Sequence, residues 1–217
     1  MGYGFKLKVW GNYACFTRPE MKVERVSYDV ITPSAARGIL ESIYWKPAIA
    51  WKIDRIHVLN EIKFENLRRN EIGNKISQRS IENSMKSGTP IFQISNEDRQ
   101  QRASLILKDV AYVIEAHFEM TDNEGERDSK EKHYAIAKRR MEKGQCYHRP
   151  YLGCREFPAQ FEFIEHEIPI GYYSDKTVDL GWMLYDIDFK DNMKAIFYRA
   201  RIEKGIIEVP DESEVKR

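Results

Sequence analysis

Cysteine, long apolar runs and one-sided charge are all scarce in this chain. Its three cysteines, Cys15, Cys146 and Cys154, are an odd number without paired spacing, so no disulfide framework is expected. Seven residues separate Cys146 from Cys154, unlike a zinc knuckle, and neither a metal nor any other cofactor is predicted. Thiols without a framework fit a reducing compartment, and the cytoplasm is the simplest expectation. No apolar stretch is long enough to span a bilayer, so no membrane partner is expected. The opening Met1-Gly-Tyr-Gly-Phe-Lys6 has no apolar core of a secretory signal. Lys6 stands where a myristoylation signal needs Ser or Thr. Repeats and low-complexity segments are absent as well.

What is present describes a soluble globular chain of 217 residues, 42% hydrophobic and 32% charged. The formal net charge is only +1, but its distribution is uneven. Between Lys130 and Arg155 there are eight Lys or Arg against two acids, whereas from Asp175 onward acids lead by ten to eight. A basic stretch of this kind is a footprint that a polyanion can use, and also what an ordinary solvated helix face looks like.

Phe5, Leu7 and Val9 alternate with Lys6, Lys8 and Trp10, the period of a half-buried strand. Thr32-Pro33 supplies an N-cap and a first-turn proline for a helix carrying Ala36, Ile39, Leu40 and Ile43 on one side, which Pro47 stops. Gly38 inside it is expected to mark close packing on a sheet. Ile49 to Leu59 reads as a second strand. The polar interval Asn60 to Arg102 reads as a long excursion with one short helix, Lys75 to Met85. Ala103 to Met120 gives a long strand in which Lys108-Asp109 marks either a bulge or a turn dividing two strands. After an acidic, mobile segment, a helix with Tyr134, Ala137 and Met141 inward ends at Gly144. Gln145–Tyr147 or Ala159–Ile164 supplies the next strand. Trp182–Phe189 and Lys194–Val209 follow as strands that turn at Gly205, then a loose tail from Asp211. The order predicts an α+β protein: a ferredoxin-like (RRM-like) domain over residues 1–147 and a smaller antiparallel sheet over 148–217.

Such a fold leaves one sheet face open, a common layout in RNA-binding domains. Cleaving RNA through its own 2′-hydroxyl needs a proton acceptor, a proton for the leaving 5′-oxygen, and a cation beside the phosphorane. Lys132 and His133 lie at the start of one predicted helix, where free N–H groups favour an anion. Tyr44 lies at the end of the other, and ferredoxin-like topology sets the two helices side by side. The plainer reading has Tyr44 as a helix-end aromatic packed on the sheet and His133 as a capping group.

These residues carry a resemblance. Glu41-Ser-Ile-Tyr-Trp-Lys-Pro47 with Lys132-His133-Tyr134 is similar to the CRISPR-associated RAMP-superfamily protein of type I-C systems, the Dvulg subtype of the fifth Cas family. The match extends through Phe5 to Thr17, Ser27 to Gly38, Val113-Ile-Glu-Ala-His-Phe118 and Tyr151-Leu-Gly-Cys-Arg-Glu156. Of the superfamily's glycine-rich loop, only Gly153 is kept. The resemblance implies cleavage of precursor CRISPR RNA within each repeat, at the hairpin base and without metal. It also implies retention on the 5′ handle as a subunit of the interference complex, whose other subunits become partners. It assigns catalysis to Tyr44, Lys132 and His133; the chemistry of the three side chains suggests proton transfer for His133, phosphate charge for Lys132, and alignment or activation of the 2′-hydroxyl for Tyr44. Lys138, Arg139, Arg140, Lys143, Arg149 and Arg155 are the candidate RNA-backbone contacts. A non-catalytic RNA-binding scaffold subunit is the alternative, and the charge distribution alone also admits duplex DNA as a ligand.

Overall fold

The computed structural model describes residues 4–215; the Met1-Gly2 start and the last two residues of the expected tail lie outside them. The chain forms β1 (Phe5–Ala14), α1 (Pro33–Ile43), β2 (Ile49–Val58), β3 (Phe64–Ile72), α2 (Gln78–Ser87), β4 (Arg99–Met120), α3 (Lys130–Glu142), β5 (Gln160–Phe163), β6 (Thr177–Asp188), β7 (Lys194–Glu203) and β8 (Ile206–Glu208).

All the strands join one sheet in the order β5-β1-β4-β2-β8-β7-β6, with β3 paired to β4. Every named pairing is antiparallel. The run β5-β1-β4-β2, connected through α1 and α3, is the ferredoxin-like arrangement that the sequence predicts. Alternation in β1 puts Phe5, Leu7 and Val9 in the core opposite Ala116, Ile114 and Tyr112 of β4. Lys6, Lys8 and Trp10 stay partly exposed on the other face. The partition at 147/148 is crossed by two strand pairings, β5 on β1 and β8 on β2, and by further backbone hydrogen bonds such as Cys15 N–H to Leu152 O at 3.0 Å. A guanidinium–carboxylate pair, Arg37 on Asp186, ties α1 to β6.

Three local expectations are corrected or narrowed. The excursion carries a nine-residue strand, β3, along the first half of β4. Its apolar residues do not alternate, so periodicity hides it; ion pairs Arg69–Glu156 and Arg102–Glu71 secure its half-buried face. Of the two alternatives at Lys108-Asp109, the dividing turn is excluded: β4 is one continuous strand, irregular at Asp109 with φ 50°. Beyond it β4 exchanges β3 for β2 on the same edge. The described part of the tail is a 3-10 turn, Glu212–Glu214, held to β2 by Lys52–Glu212 at 3.7 Å. The turn at Gly205 stands: Lys204 and Gly205, at φ 52° and 84°, join β7 to β8, the left-handed pair of a tight hairpin.

Glycine is needed at one position and not at another. A Cβ on Gly153 (φ 83°) would lie 2.0 Å from the carbonyl oxygen of Cys15, against which the 151–157 loop is pressed. A Cβ on Gly38 would meet nothing within 4 Å, so close packing does not explain that residue. Gly153→Ala is expected to lower unfolding stability by about 2 kcal/mol or more, from backbone strain and the clash. Gly38→Ala should raise it by about 1 kcal/mol. Urea denaturation of both variants checks the pair, and equal effects would contradict it.

Candidate active site

The site is assembled where α1 ends and α3 begins. Thr32 caps α1 through its hydroxyl, which accepts from the N–H of Ala35, and Pro33 starts the helix. The last turn closes with the Tyr44 N–H on Leu40 O at 2.9 Å, and Tyr44 itself is extended (φ −150°, ψ 119°). Two contacts fix this corner. The indole N–H of Trp51 donates to Tyr44 O at 2.8 Å, and Arg140 Nη1 donates to Ile43 O at 2.8 Å. The Arg140 guanidinium also lies 5.3 Å from the Tyr44 ring centre. The Tyr44 side chain is thereby turned into the protein, 2% exposed.

α3 starts on the opposite side of that corner. Ser129 caps it by accepting from the Lys132 N–H at 3.2 Å. His133, Ala137 and Met141 form its buried stripe, with Tyr134 packed at the margin. His133, at 1% exposure, meets Tyr44: Nδ1 and the phenolic oxygen are 2.6 Å apart. Phe118 of β4 presents its ring edge-on to the imidazole, 6.4 Å between centres.

Asp128 completes the cluster. Its Oδ1 accepts from Lys132 Nζ at 2.9 Å, and its Oδ2 accepts from the Gly125 N–H at 3.1 Å. The same Oδ1 is 3.3 Å from His133 Nε2. That contact is off the line of a full hydrogen bond, so the buried Nε2 has no well-aligned partner, although Asp128 still favours the protonated imidazole across it. Lys132 Nζ also donates to Arg127 O at 3.0 Å, and its side chain is 45% exposed.

Charge states follow from these surroundings. Burial lowers the His133 pKa below the ordinary histidine value, helped by the Lys132 and Lys46 cations and opposed by Asp128. Burial raises that of Tyr44, with Asp128 adding and Arg140 opposing. The hydrogen bond from Lys132, with the Gly125 N–H, holds Asp128 below the usual carboxylate range. A neutral imidazole therefore faces a protonated phenol. The Nε2 edge looks at a carboxylate, which repels a lone pair and attracts an N–H, so the imidazole proton belongs on Nε2 and the Tyr44 O–H donates to Nδ1. Such a chain can move a proton from the phenol side toward His133 while Asp128 offsets the positive charge that results.

Tyr44 and His133 are thus in contact, and Lys132 joins them through Asp128. The six candidate RNA contacts divide. Lys138 is bound to Glu165 at 3.0 Å and Glu142 at 3.5 Å, and Arg140 serves the Ile43–Tyr44 corner. Arg139, Lys143, Arg149 and Arg155 are exposed. Sequence reasoning passed over Asp128; its spacing of four from Lys132, just ahead of the helix cap, was the available signal. A cavity of about 380 Å³ between α1, β2 and the 209–213 segment includes none of these groups.

Residues 4–210 match the Cas5d family model, described as CRISPR-associated protein (Cas_Cas5). The chain is 53% identical over 225 residues to "CRISPR pre-crRNA endoribonuclease Cas5d" of Mannheimia succiniciproducens, with all of both chains covered. It is 43% identical to the protein of the same description in Thermus thermophilus, over 95% of this chain and 91% of that one. Among solved structures, a CRISPR-associated protein superposes with a TM-score of 0.73 at 25% identity, covering 100% of this chain and 97% of the other. A functionally uncharacterised protein from Streptococcus mutans gives 0.71 at 24%, over 100% and 98%, a likeness of fold.

A histidine whose folded pKa is depressed binds its proton more readily in the unfolded chain. Its share of stability is complete above the unfolded value, about 6.5, and is lost as pH falls from there toward the folded value. Wild type should therefore lose more stability between pH 7.5 and 5.5 than His133→Gln, in urea denaturation at both values. Identical pH slopes would contradict the buried neutral imidazole.

Proposed function

The chain belongs to the Cas5d family of CRISPR-associated proteins, and on that premise we propose that it is an endoribonuclease that cuts precursor CRISPR RNA within the repeat, at the base of its hairpin and without a metal ion. The observation that carries this reading is the buried 2.6 Å hydrogen bond between Tyr44 and His133 Nδ1, with the Lys132 ammonium one carboxylate away. Both nitrogens of His133 face protein groups, so its exchange with the substrate runs through the Tyr44 hydroxyl. The 2′-oxygen bonds to phosphorus as its proton passes to Tyr44, and the phenolic proton moves to His133 Nδ1. The P–O5′ bond breaks, the departing oxygen takes a proton from water on the exposed Lys132 side, and the hydroxide left behind is neutralised by the proton that His133 returns through Tyr44. Lys132 and the start of α3 carry the charge of the phosphorane. Productive binding has to uncover Tyr44, since neither it nor His133 is accessible in the free protein. The product stays on the protein through its 5′ handle, and the protein with its RNA serves as a subunit of the interference complex.

A second reading draws on that same burial: an RNA-binding subunit that clamps a phosphate with Lys132 and does not cut. Single-turnover cleavage of the cognate repeat in excess EDTA decides between them. Wild type should cut once near the hairpin base. His133→Ala should bind within a few-fold of wild type and cut about 10²–10⁴ times more slowly, and a 2′-deoxy nucleotide at the cleavage position should abolish cutting. Tight binding of an RNA that stays whole leaves the scaffold reading. For the exposed cations, log–log salt titrations should flatten by about 0.7–0.9 for each phosphate contact removed by Arg139→Gln or Lys143→Gln. An unchanged slope would exclude that residue from the RNA interface.

A further inference from the structure

His133 Nε2 is buried and makes no well-aligned hydrogen bond, although an acceptor lies 3.3 Å away. That acceptor, Asp128 Oδ1, is occupied by Lys132 Nζ at 2.9 Å. The ammonium needed at the phosphate is thus held, in the free protein, by the carboxylate that the imidazole lacks. We propose that Asp128 is a positioning residue that exchanges partners: it holds Lys132 before RNA binds, and turns onto His133 Nε2 when the scissile phosphate takes the ammonium. The inference rests on the cleavage reading of this site.

Physical grounds for the exchange are local. A phosphate arriving at Lys132 competes for one cation with a carboxylate, and the two anions repel each other. Oδ2 stays anchored on the Gly125 N–H at 3.1 Å, so a small rotation suffices to bring Oδ1 into line with the Nε2 proton. The other groups facing His133 do not offer this contact: Tyr44 occupies Nδ1, Phe118 presents a ring edge, and Lys46 and Lys132 are cations. Once in line, the carboxylate stabilises the imidazolium formed when the proton relayed through Tyr44 reaches Nδ1, and it fixes the productive tautomer, as the carboxylate of a hydrolase triad does.

Asp128→Asn separates this role from a merely structural one. Removing the competitor frees Lys132, so affinity for a repeat carrying a 2′-deoxy cleavage position should rise about two-fold or more. Single-turnover cleavage of the normal repeat at saturating protein should fall at least about ten-fold. Asp128→Glu, which keeps the charge, should recover part of the rate. The His133 pKa followed by NMR in the free protein should be lower in the Asn variant than in wild type. Wild-type cleavage by Asp128→Asn, or affinity and rate falling together, overturns the proposal. If wild type leaves the repeat whole, the cleavage reading fails separately. The affinity and the imidazole pKa then decide the exchange, a loss of affinity or an unmoved pKa overturning it.

Discussion

A single hydrogen bond between a phenol and an imidazole joins the end of α1 to the start of α3, and the arrangement of the fold around it serves to keep it short. Both partners are removed from water, where an unpaired polar group is costly, so each fixes the other. The strands beneath supply the distance: Phe5 of β1 and Phe118 of β4 pack against α3, α1 lies along β2 and β6, and Trp51 and Arg140 hold the turn at Tyr44 by its backbone. The two side chains are thus set by packing and helix capping rather than by a flexible loop.

Electrostatics refine that frame. The basic stretch from Lys130 to Arg155 is less positive in space than in sequence. Lys138 is neutralised by two glutamates, Lys132 by Asp128, and Arg140 is spent on a carbonyl and a ring. Charge that looked like a uniform footprint is divided between structural duty inside and exposed cations outside. The imidazole is kept neutral first by burial, and the nearby Lys132 and Lys46 cations push in the same direction.

How far this was legible in the residues depends on the kind of signal. Elements that follow their own periodicity were readable, such as β1 with its alternating Phe5, Leu7 and Val9, and α1 with its Thr32-Pro33 start. The pairing of Tyr44 with His133 was reachable because ferredoxin-like topology fixes which helix ends are neighbours. β3 was not, since its face is secured by ion pairs with distant residues and its stability comes from lying along β4. Asp128 escaped for a related reason: its spacing of four from Lys132 hints at an ion pair, but does not say that the same carboxylate also reaches His133. Gly38 misled, because a glycine in a helix reads as a packing site and here faces open space.

β4 has a consequence beyond geometry. β1 finds its first partner about a hundred residues later in the chain and its second, β5, later still, while β2 awaits β8 at residues 206–208. Contacts this distant in sequence make folding slow and place most of it after synthesis. A growing chain that has made α1 therefore holds Tyr44 without its histidine, and a chain that has made both still lacks the edge strands that complete the sheet. The Tyr44–His133 contact therefore spans 89 residues of chain, and it forms inside a sheet whose outer pairings close later still.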